Sequence, residues 1–465
     1  MGQKEESPML RLDNNSQQNP SLWESVLPPE LFRMNEELTK VDKLLDDERF
    51  FAPFQERFCT RMGRPTTAVS TYLRMMYLKH RYGLGYEVLV KEVSDSFTWR
   101  RFCHLTLGDR VADSTTLIKL THKYGENTVC ALNDTLVGKL KEGKVVRGRK
   151  LRIDTTVVES DIHHPTDTGL LTDGVRVITR VVSKLKKVVP GIGSRFVKHT
   201  RKAKKVYLGL MKVMKGRTGN DDTTLKKARD KLVKITGEVI ADGRAVQAEL
   251  GLLKDKPPLA KTKKLSQQLG EWIEVAEKVA WQTKEVMAGN LHLPRRIVSL
   301  FDVDARPIKR GKARADTEFG RKVLLGETDH GIITTYQVLQ DNPSDTTLLK
   351  SVIKGHKHLF RKRLKAVAGD RGFYSQANED WLKDSGVKQV SIPKRGKING
   401  ERRAYQKQSW FKQLQRFRAG IEAKISLLKR KFGLKRSLMR GSPGVNIWVG
   451  QGIFAHNLWQ AVRIA

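Results

Sequence analysis

Around residue 146 the chain changes character, and that change limits what it can fold into. VRGRKLRIDTTVVES (146–160) alternates in polarity and is rich in β-branched residues, which predicts a strand entering a sheet with Asp154 at or near its end. The next strand patterns come only at 296–301 (RIVSLF) and in FGRKVLLGETDHGIITTYQVL, where Asp329-His330-Gly331 predicts a hairpin turn. Between them, from about 168 to 292, the periodicity is helical. A sheet whose first strand is parted from the rest by a long helical stretch is an α/β domain interrupted by an insertion.

The remaining pattern completes that domain. A helix capped by Ser344 is expected over 344–358, and LKAVAGDRGFYS predicts a buried strand ending in Asp370, a turn at Gly372 and a helix from Ser375. VKQVSIP (387–393) is a short strand, and a basic helix follows a polar loop. Upstream, residues 1–45 read as a polar tail with a short helix near 29–48. Residues 46–145 read as a compact helical region. There a Pro-Thr-Thr start follows Gly63, a Gly83–Gly85 break separates two amphipathic helices, and DSTTLIKLTHK (113–123) opens a third. Short helices joined by tight turns suit a helix-turn-helix-like DNA-binding module. The expected division is therefore 1–45, 46–145, 146–167 joined with 293–465, and the basic helical insertion 168–292.

Charge narrows the partner. Among 465 residues there are 88 Lys and Arg against 50 Asp and Glu, a formal net charge of +38. Such an excess points to a polyanion, with DNA or RNA ahead of an anionic membrane surface. Segment 184–205 alone holds nine Lys or Arg and no acid, and Lys202, Lys204 and Lys205 are candidate phosphate contacts. Cys59, Cys103 and Cys130 lack metal-ligand spacing, and neither a secretory h-region nor a membrane-length apolar run is present. A cytoplasmic, nucleoid-associated protein is expected.

The basic helix contains one acid. In RFRAGIEAKISLLKRKFGLKR (416–436) eight residues are Lys or Arg, and Glu422 is the lone carboxylate. Ile421, Ile425, Leu428 and Phe432 form an apolar stripe, and Arg418, Glu422 and Lys429 share a neighbouring face. An ordinary ion pair on a solvated face would explain this equally well from the segment alone. Asp154 and Asp370, however, both end apolar strands, where ligand and catalytic groups gather in α/β sheets. Three such carboxylates could hold two Mg²⁺ ions for in-line phosphodiester displacement. His163, His164, Asp302 and Asp304 fit turns, Glu159 a strand face, and Trp272 and Trp281 the core of the insertion.

IDTTVVESDIHHPTDTGLL, DVDARPIKRGKARADTEFGRKV, AGDRGFYS, FRAGIEAKISLLKRKFGLKRS and the closing FAHNLW, in that order, resemble the DDE transposases of bacterial insertion sequences. The resemblance runs from about residue 50 to the C-terminus. It implies an RNase H-like catalytic domain with a mixed sheet and flanking helices, interrupted by the helical insertion and preceded by an all-α DNA-binding domain. It also implies a triad of Asp154, Asp370 and Glu422 holding Mg²⁺, with Mn²⁺ able to substitute. Arg418, Glu422 and Lys429 match a Tyr-Arg-Glu-Lys signature in which Gln415 replaces the Tyr. Arg371, Lys424 and Arg430 join Arg418 and Lys429 as expected DNA contacts. The implied partners are terminal inverted repeats and target DNA, bound by a dimer or larger assembly. The rival readings are an RNase H-like nuclease or resolvase that does not join strands, and a domesticated DNA-binding protein without catalysis.

Overall fold

The computed structural model describes residues 9–12, 22–55, 65–215, 222–252, 260–312, 315–361 and 364–464. Most of the N-terminal tail, the segment around Gly63 and the Pro257-Pro258 interruption lie outside them. The chain forms two compact units, residues 1–161 with 321–465, and residues 162–320.

A mixed sheet forms, with most of its strands in the larger unit. β1 (Lys150–Ser160) has β2 (Arg306–Lys312), β3 (Ala315–Thr328), β4 (Ile333–Val338), β5 (Ala366–Ala368), β6 (Gln389–Ser391) and β7 (Arg436–Ser437) after it in the chain. The order across the sheet is β2-β3-β1-β5-β6, with β4 also on β3 and β7 also on β1. β5 is parallel to both β1 and β6, and β4 is antiparallel to β3. Between β3 and β4 the expected turn forms: Gly331 adopts φ 77°, and the Thr328 amide donates to the Ile332 carbonyl at 2.9 Å. That left-handed φ is why a glycine stands there.

Strand alternation sends side chains to two helical layers. Leu151, Ile153, Leu324, Val367 and Val390 pack with Leu349 and Ile353 of the helix Asp345–Phe360. On the other face Ala366 and Ala368 meet Leu414 of the helix Ser409–Lys431. The last helix, Gly441–Ile464, is apolar nearly all round and correspondingly buried. Its Asn457 bridges elements: the side chain donates to the Ile333 carbonyl and to Asn133 Oδ1, both at 2.7 Å, and accepts from the Ile333 amide at 3.0 Å. The FAHNLW motif is thus an internal tie.

The helical N-terminal region does not close a core of its own. Leu38, Tyr72, Met76 and Leu132 share one apolar cluster with Val323, Phe432, Val449 and Phe454. Short amphipathic helices bury too little surface alone, and the last helix completes their packing. Helices form at Val69–Tyr82 and Tyr86–Asp95, with Gly83 at φ 68° ending the first. The third runs on to Glu142, broken at Gly125.

The smaller unit packs Leu171, Ile178 and Leu185 of the helix Asp167–Val188 against Val239, Leu269 and Ile273 of the helices Asp222–Leu252 and Ala260–Met287. It extends further toward the C-terminus than the expected insertion. The reason is visible at 296–301, which is not a strand: Ile297 and Leu300 plug the helical core, and the Ile297 amide donates to Gln282 Oε1 at 3.0 Å. Trp272 packs on Phe301 at 5.8 Å, whereas Trp281, expected in the core, is 51% exposed.

Candidate active site

Asp154 does not stand at the expected strand end: it is mid-strand in β1, because the strand continues to Ser160, where it pairs with β7, and its side chain is largely buried. Its Oδ1 accepts from the Thr155 amide at 2.7 Å. β1 and β5 are in parallel register at Lys150↔Ala366, Leu151↔Val367 and Arg152↔Ala368. Continued by two residues, this register sets Asp370 level with Asp154. Asp370 itself caps a single 3₁₀ turn, accepting from the Gly372 amide at 2.8 Å. Asp370, two residues beyond the end of β5, is therefore level with Asp154 in the middle of β1.

Glu422 arrives from the helix Ser409–Lys431, which lies on the Ala366/Ala368 face. Its side chain is 68% exposed, and Arg418 links it to Asp154. One Arg418 nitrogen donates to Glu422 Oε1 at 3.1 Å and the other to Asp154 Oδ2 at 3.2 Å. The i,i+4 pair is real, but it is half of a three-group bridge. Among the described residues the three carboxylates are not drawn into one tight cluster, as expected where a guanidinium neutralises two of them. All three offer hard oxygen donors, a set suited to a divalent cation such as Mg²⁺.

The seat of this helix depends on a second buried network. Arg152 donates to Glu327 Oε2 at 2.8 Å and to the Phe417 carbonyl at 2.7 Å. Gly420 admits that guanidinium, since a Cβ there would overlap it. Lys424 lies 3.8 Å from Glu327 and 3.2 Å from His456 Nε2, with its pKa lowered chiefly by burial. It is turned into the protein, unlike the phosphate contact expected of it. Replacing the buried Glu327 by Gln leaves two cations without their anion; a loss of about 3 kcal/mol in folding stability is expected, measurable by denaturant unfolding.

The other candidates are placed as follows. Arg371 and Arg430 are exposed, and Lys429 is partly buried. Lys202, Lys204 and Lys205 are exposed on the helix Thr200–Lys215 of the smaller unit. Gln415, at the signature's Tyr position, donates to the Ser391 carbonyl at 2.7 Å and its hydroxyl at 2.9 Å, so it ties the helix to the end of β6. Glu159 lies on the strand face, 3.3 Å from Arg436.

Sequence reading missed Asp345. Its Oδ1 pairs with Lys322 at 2.7 Å and lies 3.4 Å from the Thr155 hydroxyl. A Cβ on Gly372 would fall 2.6 Å from Asp345 Oδ2 and 2.8 Å from Asp370 Oδ1, so glycine there lets both carboxylates approach the turn. In the sequence it resembles any acid in a first helical turn. A second acidic group, Asp42, Asp46 and His104, is held by Arg74, which bonds both aspartates. Its cation is already supplied.

Two stretches of the chain match known families. Residues 298–458 match the transposase DDE domain family, and residues 29–123 match the transposase domain family DUF772. A mixed α/β architecture fits these matches to transposase domains. The chain belongs to the DDE transposases of insertion sequences. An uncharacterized Rhizobium meliloti protein, ORF8 in the nfe locus, is 26% identical over 132 residues, covering 27% of this chain. The alignment spans 64% of that relative's length. No solved structure matches. No described helix is long and apolar enough to cross a membrane.

Proposed function

We propose that this chain moves an insertion sequence: it binds the terminal inverted repeats, hydrolyses phosphodiester bonds to free 3′-OH ends, and joins those ends to target DNA. The observation that carries this is the level placement of Asp154 in β1 and Asp370 just past the end of β5, with Arg418 joining Asp154 to Glu422. In this reading the sheet and its two helical layers are an RNase H-like fold. Asp154, Asp370 and Glu422 would hold two Mg²⁺ ions, with Mn²⁺ able to substitute. The metal would supply Lewis-acid polarisation of the phosphoryl oxygen and a lowered pKa for water.

The protein's own groups position the DNA. Arg418, Lys429, Arg371 and Arg430 bind phosphates near the carboxylates, and Lys202, Lys204 and Lys205 bind them from the smaller unit. Lys424 holds Glu327 instead. The helical region within 46–145 binds the repeats, and a dimer or larger assembly brings two ends together. The test is strand cleavage and joining on a labelled duplex carrying the flanking element end, with Mg²⁺ or EDTA. Metal-dependent 3′-OH ends and a joined product are expected. Cleavage without joining would leave only a nuclease, and tight binding with no cleavage only a DNA-binding protein.

A further inference from the structure

The helical N-terminal region contains a groove of about 640 Å³ where Arg11, Thr66 and Thr67 face Arg110, Thr116 and Lys119. Two helices begin at it, Val69–Tyr82 and Ser114–Glu142. Each presents the positive end of its dipole there; neither has a side-chain cap, although the Val69 and Ser70 amides donate to the Arg11 and Leu12 carbonyls at 2.9 and 3.0 Å. Lys123 also lines the groove, giving four cations against the two acids Asp109 and Asp113. The Asp109 carboxylate is engaged, accepting from the Thr106 amide at 2.8 Å and its hydroxyl at 2.9 Å. Asp113 is exposed and lies 3.5 Å from Arg110.

Thr71 shows what the groove lacks. It is only 2% exposed, lines the groove, and its hydroxyl has no hydrogen-bond partner. Mid-helix Thr121, Thr128 and Thr135 of the neighbouring helix bond back to the carbonyl four residues earlier, at 2.8 to 2.9 Å. Thr71 stands in the first turn of its helix, where the residue four earlier, Thr67, precedes the helix, so its hydroxyl lacks that recourse. An unmade bond at a buried hydroxyl costs about 1–3 kcal/mol, so a group that restores it is favoured. The surrounding positive charge makes that group an anion.

We infer that this groove seats a phosphodiester of bound duplex DNA, with the Thr71 hydroxyl donating to a phosphate oxygen and Arg110 and Lys119 neutralising its charge. The inference rests on the reading of this region as the DNA-binding part. Phosphates bind readily where helix N-termini and cations converge. A duplex, rather than a free anion, fits a chain of net charge +38 whose groove is open to solvent along its cationic rim.

The test measures Kd for a labelled element-end duplex across a KCl series, for the full chain and for Thr71→Val, Arg110→Gln and Lys119→Gln. Thr71→Val should weaken binding about tenfold with the salt slope unchanged and the melting temperature not lowered, because its hydroxyl bonds nothing in the protein. Arg110→Gln and Lys119→Gln should each reduce the log–log salt slope by about 0.9. Both residues are exposed, so these variants report even if Thr71→Val folds poorly. Wild-type affinity and slope in all three would overturn the groove while leaving the transposase reading intact. Absence of DNA binding by the wild type would overturn both.

Discussion

Asp154→Asn, Asp370→Asn and Glu422→Gln should each reduce strand cleavage by at least about 10³-fold, or about 4 kcal/mol of transition-state stabilisation, while leaving element-end binding within a few fold. The structure explains why folding should survive. Asp154 Oδ1 accepts from the Thr155 amide and Asp370 Oδ1 from the Gly372 amide, and an asparagine oxygen can accept both bonds. Glu422 is mostly exposed, so its amide remains solvated. Besides the negative charge, Asp154→Asn removes the bond that Oδ2 accepts from Arg418. Cleavage and binding measured on the same duplex check this, and a variant that still cleaves well removes its residue from the metal set. If binding is lost together with cleavage, the carboxylate is holding Arg418 in a DNA-binding posture instead. That outcome is separable, since Arg418→Gln would then reproduce it.

Much of this arrangement was legible because short-range pattern controls it. The strands that carry Asp154 and precede Asp370 follow from their β-branched and apolar runs, although Asp154 falls in mid-strand rather than at the end, and Gly331 and Gly83 sit where a left-handed φ is needed. Pairings distant in sequence were not legible. Arg152 and Glu327 lie 175 residues apart, and no local pattern marks either as the other's partner. Lys424 looks like any other cation of its helix until Glu327 and His456 are placed beside it. RIVSLF shows the limit of periodicity: six mainly apolar residues can enter a sheet or plug a helical core, and here they do the latter. Asp345 was hidden for a related reason, since only the close turn at Gly372 brings it beside Asp370.

Stability should depend on pH through Lys79, a residue with no role in the proposed chemistry. Its ammonium nitrogen is buried, has no hydrogen-bond partner, and lies 4.1 Å from the Trp448 ring and 4.7 Å from the Tyr86 ring. Burial pushes its pKa down to about 7, from a usual value near 10.5. Between those two values the unfolded chain holds a proton that the folded chain does not, so stability rises with pH across this window. Below about pH 7 the folded protein carries the full cost of a buried cation. That cost is about 5 kcal/mol before the rings return about 2 kcal/mol. The neighbouring His80 acts in the same direction at lower pH: burial, and then the charge of Lys79, holds it neutral in the folded state while the unfolded chain protonates. Lys79→Met should therefore raise the melting temperature by several degrees at pH 6, with the advantage shrinking as pH approaches 10. An advantage equal at both pH values would mean that shape rather than charge is responsible, and the aromatic pair would then be solvating the ammonium better than its burial suggests.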